Sequence, residues 1–170
     1  MHVNTHTLRT KLLALLPALA LMTGAAAAQA AGESSFVAHY TTASLSAQEQ
    51  TAGNLLNSDR TRYNLAPLTL DPLLCRIARI KSEDMRDNQY FAHTSPTYGD
   101  VKSMLDHFGV RYTAAGENIA HHATIEKSQA ALISSPGHRR NILSSGYTKA
   151  GVGVAVDKNG FIYLTQIFVR

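Results

Sequence analysis

The run "AGVGVAVDKNGFIYLTQIFV", Ala150 to Val169, constrains this chain more than any other stretch. Two apolar, strand-like segments flank Asp-Lys-Asn-Gly, and Asn159-Gly160 is a pair that accepts the positive φ angles of a tight turn, so the run predicts an antiparallel β-hairpin. A hairpin has to bury one face against another layer. "GVGVA" resembles a dinucleotide loop only superficially, because it lacks the third glycine and the helix that would follow; it reads as strand.

The residues ahead of the hairpin carry a helical period. In "SAQEQTAGNLLNSDRTRYNL" Ala52, Leu55, Leu56 and Tyr63 recur at helical spacing, and "APL" stops the helix. In "LDPLLCRIARIKSEDMRDNQYF" Asp71 is the expected N-cap and Pro72 the first helical residue, with Leu74, Ile77, Ala78 and Met85 on one face. A short helix is expected between Asp100 and Gly109, and another over "TIEKSQAALIS", with Thr124 as cap and Glu126 in its first turn. Helices first and a hairpin last give an α+β fold, with helices packed on an antiparallel sheet. Cys75 is the single cysteine, so no intrachain disulfide forms, and its place in a helical pattern reads as a buried small apolar group rather than a nucleophile.

The first thirty residues read as a signal peptide. Arg9 and Lys11 precede "LLALLPALALMTGAAAA", and "AQA" before Ala31 has the small-x-small form of a cleavage site. Pro17 and the small-residue tail argue against a retained membrane span. Cleavage near Ala30-Ala31 would leave an exported chain, in a periplasm or outside the cell. Its flexible arm would span 31–46, small, polar and aperiodic, and one domain would span 47–170. The formal charge of +4 falls to +2 once Arg9 and Lys11 are removed, since no acid precedes Ala31. Basic residues are scattered among acids without an aromatic-interleaved basic segment, so nucleic acid is not an expected partner.

Three polar islands interrupt the apolar pattern: "YFAHTSP" with His93, "AAGENIA" with Glu117 and Asn118, and "SSPGHRRNIL" with His138. Each is read as lying at an element boundary, where a rigid scaffold presents functional groups. Two imidazoles and a carboxylate suit either a divalent ion with open coordination positions or a general acid–base set. Plain readings stand beside these: His93 as a surface loop residue, Glu117 holding loop amides, Asn118 serving a turn, and His138 capping the helix before it. Arg139 and Arg140 read as solvated or paired with acids. His121-His122 is a poor metal pair because adjacent residues point in different directions. Ser134 and Ser135 lie outside any G-x-S-x-G elbow, so neither is read as a nucleophile.

In order and spacing, "YFAHTSP", "GENIA", "SPGHRRNIL" and the hairpin resemble the bacterial branch of the CAP superfamily, also called SCP-like. The superfamily is named for cysteine-rich secretory, antigen 5 and pathogenesis-related 1 proteins. The match runs from about Leu55 to Phe168. The resemblance implies a CAP-type α-β-α sandwich with a central, mainly antiparallel sheet and a cleft holding two histidines and acidic residues, in some members with zinc or another divalent ion. His93 and His138 match the two histidines, and Glu117 matches the acid of "GEN". The second glutamate that eukaryotic members carry has no counterpart; Glu126 lies too early, and Leu132 stands where bacterial relatives often have Trp. The Pro-Gly turn is expected to aim His138 at His93.

Fold alone does not choose the function. The first expectation is an exported domain that binds a ligand, a cell-envelope component or a divalent metal at the His93, Glu117 and His138 cluster without turnover, since no nucleophile is recognisable. The alternative is a metal-assisted peptidase or amidase in which those three residues hold the ion or Glu117 activates a water. A lipid or sterol carrier ranks last.

Overall fold

The computed structural model describes residues 44–170; the signal peptide expected over 1–30 and most of the arm expected over 31–46 lie outside the described residues. In chain order the elements are α1 (Ala47–Arg62), β1 (Thr69–Leu70), α2 (Pro72–Asp87), α3 (Val101–His107), β2 (Ala115–His122), α4 (Ile125–Ser134), α5 (Pro136–Ile142), β3 (Lys149–Val156) and β4 (Ile162–Val169). The four strands form one sheet in the order β1-β3-β4-β2, with β1 parallel to β3 and the other pairings antiparallel. Among the described residues no helix is long and apolar enough to cross a membrane.

The helix starts follow their caps. Asp71 accepts from the amides of Leu73 and Leu74, Asp100 from Ser103 and Thr124 from Lys127, each satisfying an orphan N–H of a first turn. Ser46 and Glu49 form a reciprocal capping box on α1. Ser44 to Ser46, assigned to the arm on composition, are therefore held by the domain: Leu45 packs on the core and Arg79 Nη2 donates to the Ser44 carbonyl. The predicted hairpin forms with paired residues from Lys149↔Val169 to Val156↔Ile162. Its turn is closed by Asp157, whose Oδ1 accepts from the amides of Asn159 and Phe161, while Gly160 takes φ +83°.

Two apolar layers lie on opposite faces of the sheet. Ile77 and Ala78 of α2 and Met104 and Leu105 of α3 pack with Ile167 and Val169. Ala52, Leu56, Ile125, Leu132 and Ile142 pack with Ala150, Val152, Leu164 and Phe168. The result is an α-β-α sandwich. α2 lies directly on β3 because Gly151 and Gly153 face it without side chains: a Cβ at Gly153 would stand 1.9 Å from the Arg79 nitrogen, and one at Gly151 2.2 Å from the Leu74 carbonyl carbon.

Three readings are corrected. "AAGENIA" is not a boundary loop but β2, with all of its residues from Ala115 to His122 paired to β4. Glycine and two polar residues mask its alternation, yet Glu117 and Asn118 are buried because both of its faces are covered. "SSPGHRRNIL" holds no Pro-Gly turn: Pro136 is at the start of α5, where its missing N–H costs nothing. In α1, Tyr63 is exposed as the C-cap, and the inward face is partly charged, with Glu49, Asp59 and Arg60 buried beside Ala52 and Leu56. Arg60 is satisfied by the carbonyls of Ala66, Ile142 and Ser144, two of them at the carbonyl end of α5.

Because backbone cannot yield as a side-chain tip does, Gly153→Ala is expected to push α2 off β3 and to cost about 3 kcal/mol, the upper end of overpacking. Urea denaturation checks it: a lowered midpoint at unchanged slope is the expected result.

Candidate functional site

His93 sits in the loop after α2, and the last turn of that helix organises the loop. Asp84, buried on α2, accepts hydrogen bonds from Asn88 Nδ2, Tyr90 Oη, Ser95 Oγ and Thr97 Oγ1. Burial pushes its carboxyl up, but these donors outweigh it and hold the group below the usual aspartate value. Ser95 Oγ in turn accepts from the amides of Thr97 and Tyr98, and Ser95 pairs with Gly99 through two backbone bonds. One carboxylate thus gathers most of the polar groups of "NQYFAHTSPT" and leaves the His93 ring projecting, its side chain 57% exposed.

Glu117 lies on β2, an edge strand, on the face that α2 covers, and His138 lies on α5. Asn141 of α5 donates to the Glu117 carbonyl at 3.2 Å and to Asn118 Oδ1 at 2.9 Å, and Asn118 Nδ2 donates to the His138 carbonyl at 3.2 Å. These bonds fasten α5 to the rim of the sheet. Gly116 leaves the space this needs, since a Cβ there would stand 2.5 Å from Tyr147 Oη and 3.1 Å from Asn141 Oδ1.

The three residues that the sequence nominates are brought together. His93 Nδ1 donates to Glu117 Oε1 at 2.8 Å, a direction set by the carboxylate, and the His93 and His138 rings lie 6.4 Å apart between centroids. The Glu117 hydrogen bond lifts the His93 pKa above 6.5 against partial burial and the nearby Lys81. His138 moves the other way, lowered first by burial and then by repulsion from His93. Glu117 is almost wholly buried, and its Oε2 has no hydrogen-bond partner among the described residues.

Lys81 is the residue that pattern reading passed over. It is fully buried on α2, its ammonium donating to Tyr90 Oη at 3.0 Å and lying 4.9 Å from the Tyr90 ring centroid. Burial pushes its pKa down, while the charges of Glu117 and Asp84 pull it back up. Burial and the bond to Asp84 push the Tyr90 phenol up. A signal existed: Lys81 is one turn beyond Ile77 on the stripe that Leu74, Ile77, Ala78 and Met85 define.

Among the described residues no group of three or more His, Cys, Asp and Glu side chains is placed to hold a metal ion. Glu117 Oε1 accepts from the His93 imidazole, so the carboxylate backs that ring. His121 and His122 point to opposite faces of β2; His121 stacks on Tyr163 at 4.0 Å. Ser134 is exposed and Ser135 begins α5 without a side-chain cap. Cys75 is buried, its thiol pushed up to about 11 by burial, as its structural reading requires. Arg139 lies over the Tyr63 ring at 4.5 Å, with no acidic partner among the described residues.

The family model of the cysteine-rich secretory proteins, CAP, matches residues 54–168. The uncharacterised Bacillus subtilis protein YkwD is 44% identical over 127 residues, 74% of this chain and 48% of that protein. The Bacillus subtilis membrane protein YlbC, also uncharacterised, is 38% identical over 122 residues, 69% of this chain and 33% of its own length. A crystallised extracellular protein containing a SCP domain, from Bacillus anthracis, aligns with a TM-score of 0.67 at 34% identity, covering 76% of this chain and 45% of that one. The chain spans less than half the length of each of these relatives.

The opposed shifts predict how the two rings titrate. In an NMR titration His93 should change above pH 6.5 and His138 below it, and Glu117→Gln should bring the His93 midpoint down. A raised base stabilises the fold fully below its unfolded pKa and loses that contribution as pH rises through the folded value. A lowered base costs stability as pH falls from 6.5 through its own folded value. The pair therefore favours folding most near pH 6.5, and replacing both rings with Gln should flatten the pH profile of the denaturation midpoint there.

Proposed function

This chain belongs to the CAP family, the cysteine-rich secretory proteins, and on that premise we propose that His93, Glu117 and His138 form a general acid–base site that hydrolyses a peptide or amide bond in a cell-envelope component. One observation carries the reading. Two imidazoles of opposite shift stand 6.4 Å apart between ring centroids, wide enough for a water or carbonyl group between them. Pairs of titratable groups driven apart by their surroundings are how one site holds an acid and a base at the same pH.

His138, whose burial favours the neutral ring, accepts a proton from the attacking water. His93, whose protonated form Glu117 favours, gives one to the departing nitrogen. Glu117 holds the His93 tautomer and ring plane through Nδ1, leaving Nε2 for the substrate. The chain acts outside the cytoplasm, in a periplasm or beyond the cell, after export by the leader over 1–30. The extracellular description of the Bacillus anthracis relative supports that location.

A divalent ion such as zinc is the second reading. What favours it is the same Glu117–His93 contact, since a carboxylate behind an imidazole is a common way to fix a metal-binding tautomer. His93 and His138 would then be its protein ligands.

The test is turnover of a panel of short peptides and cell-wall fragments, in chelator and with added zinc. His93→Gln and His138→Gln should each lower kcat/KM by roughly 10²-fold or more, the usual contribution of a general acid or base. Equal turnover in the variants and the parent rejects the site. Activity present only with zinc selects the second reading, and saturable binding without turnover returns the protein to ligand capture.

A further inference from the structure

A row of buried amides crosses the sheet face covered by α1 and α4 and ends behind His138. It starts at Asp59 on α1, whose Oδ2 accepts from Gln129 Nε2 on α4 at 2.8 Å. Gln129 Oε1 accepts from Gln166 Nε2 on β4 at 2.7 Å, and Gln166 Oε1 accepts from Asn118 Nδ2 on β2 at 3.2 Å. Asn118 Oδ1 accepts from Asn141 Nδ2 on α5 at 2.9 Å. At the far end the remaining hydrogens go to backbone, from Asn118 to the His138 carbonyl and from Asn141 to the Glu117 carbonyl, each at 3.2 Å. Asp59, Gln129, Gln166 and Asn118 are all buried. Arg62 meets Asp59 through Oδ1, so Oδ2 is left to Gln129.

Each side-chain amide presents a donor on one arm and an acceptor on the other, so the orientation of one member dictates the next. Both ends of this row accept hydrogen bonds: a carboxylate at Asp59, and backbone carbonyls at Glu117 and His138. Turning one amide round would oppose two oxygens or two N–H groups in the interior, where unsatisfied polar groups are costly.

We infer that Asp59 is a positioning residue for His138: as the terminal acceptor of the row it holds every amide facing one way, and so holds α5 against the edge of β2. The inference deepens the acid–base reading and rests on it for its functional meaning. It is tested without substrate, so the two fail separately.

The experiment compares Asp59→Asn and Asp59→Ala in the full chain, by urea denaturation and by NMR of the His138 ring at fixed pH. Asn keeps an oxygen for Gln129, and the folding constant should stay within about threefold, with the His138 resonances in place. Ala leaves Gln129 Nε2 without its acceptor. The folding constant should then fall by about tenfold or more, and the His138 resonances should move although residue 59 does not touch that ring. A stability loss with His138 unmoved, or no change in either reading, overturns the inference.

If Asp59→Ala does not fold, an exchange decides. Gln129→Glu alone sets two carboxylates against each other. Adding Asp59→Asn moves the charge one place along the row while Gln166 still donates to residue 129. The double variant should fold at least about tenfold more favourably than Gln129→Glu alone, with the His138 resonances as in the parent. A double variant no better than the single overturns the inference.

Discussion

The contact of α2 with β3 at Gly151 and Gly153 sets the rest of the structure. With no side chain between them, helix backbone rests on strand backbone, and polar residues of α2 enter the interior instead of meeting water. Ser82 Oγ donates to the Gly153 carbonyl at 2.9 Å and lies 2.9 Å from Thr165 Oγ1. Lys81 and Asp84 descend beside it, the first toward Glu117 and the second beneath the loop that carries His93. Bulk at either glycine would lift the helix and with it the support of the first histidine.

The opposite layer is held differently. Its apolar cluster is supplemented by buried polar groups, each matched to a partner: Arg60 on three carbonyls, Glu49 between Arg79 and Ser46, and the amide row from Asp59 to Asn141. Such contacts add little net energy over solvation, but misplacing one is expensive, so they select one arrangement sharply. The candidate site lies where the two layers meet at the edge of β2. His93 is presented from the α2 side, His138 from the α5 side, and Glu117 from the strand between them.

Local signals proved legible where they are local in cause. Asp71 with Pro72, Asp100, Thr124 and the Asn159-Gly160 turn act within a few residues and read directly. β2 did not, because Gly116, Glu117 and Asn118 have poor strand propensity and are tolerated only once β4 pairs with them and helices cover both faces. α5 was hidden for a related reason: Pro-Gly is a turn signal in isolation, and packing of Ile142 and the Asn141 bonds make it a helix start. In α1 the inward charges Glu49, Asp59 and Arg60 weaken the apolar period, and each is accepted inside because its partner arrives from elsewhere in the chain.

His93, Glu117 and His138 were legible as candidates, since the polar islands that carry them stand out among apolar neighbours and resemble the CAP pattern in order and spacing. Their roles were not. Whether Glu117 joins a three-ligand set or backs an imidazole depends on where its oxygens point, and the two histidines shift in opposite directions because one meets a carboxylate and the other is buried beside a positive neighbour. Asp84, Gln129 and Gln166 carry no marking in the chain, and Lys81 only its place on the apolar stripe of α2. A side chain's neighbours across 30 or more residues are set by how helices and strands stack, and period and propensity report only which residues face inward, not what they meet there.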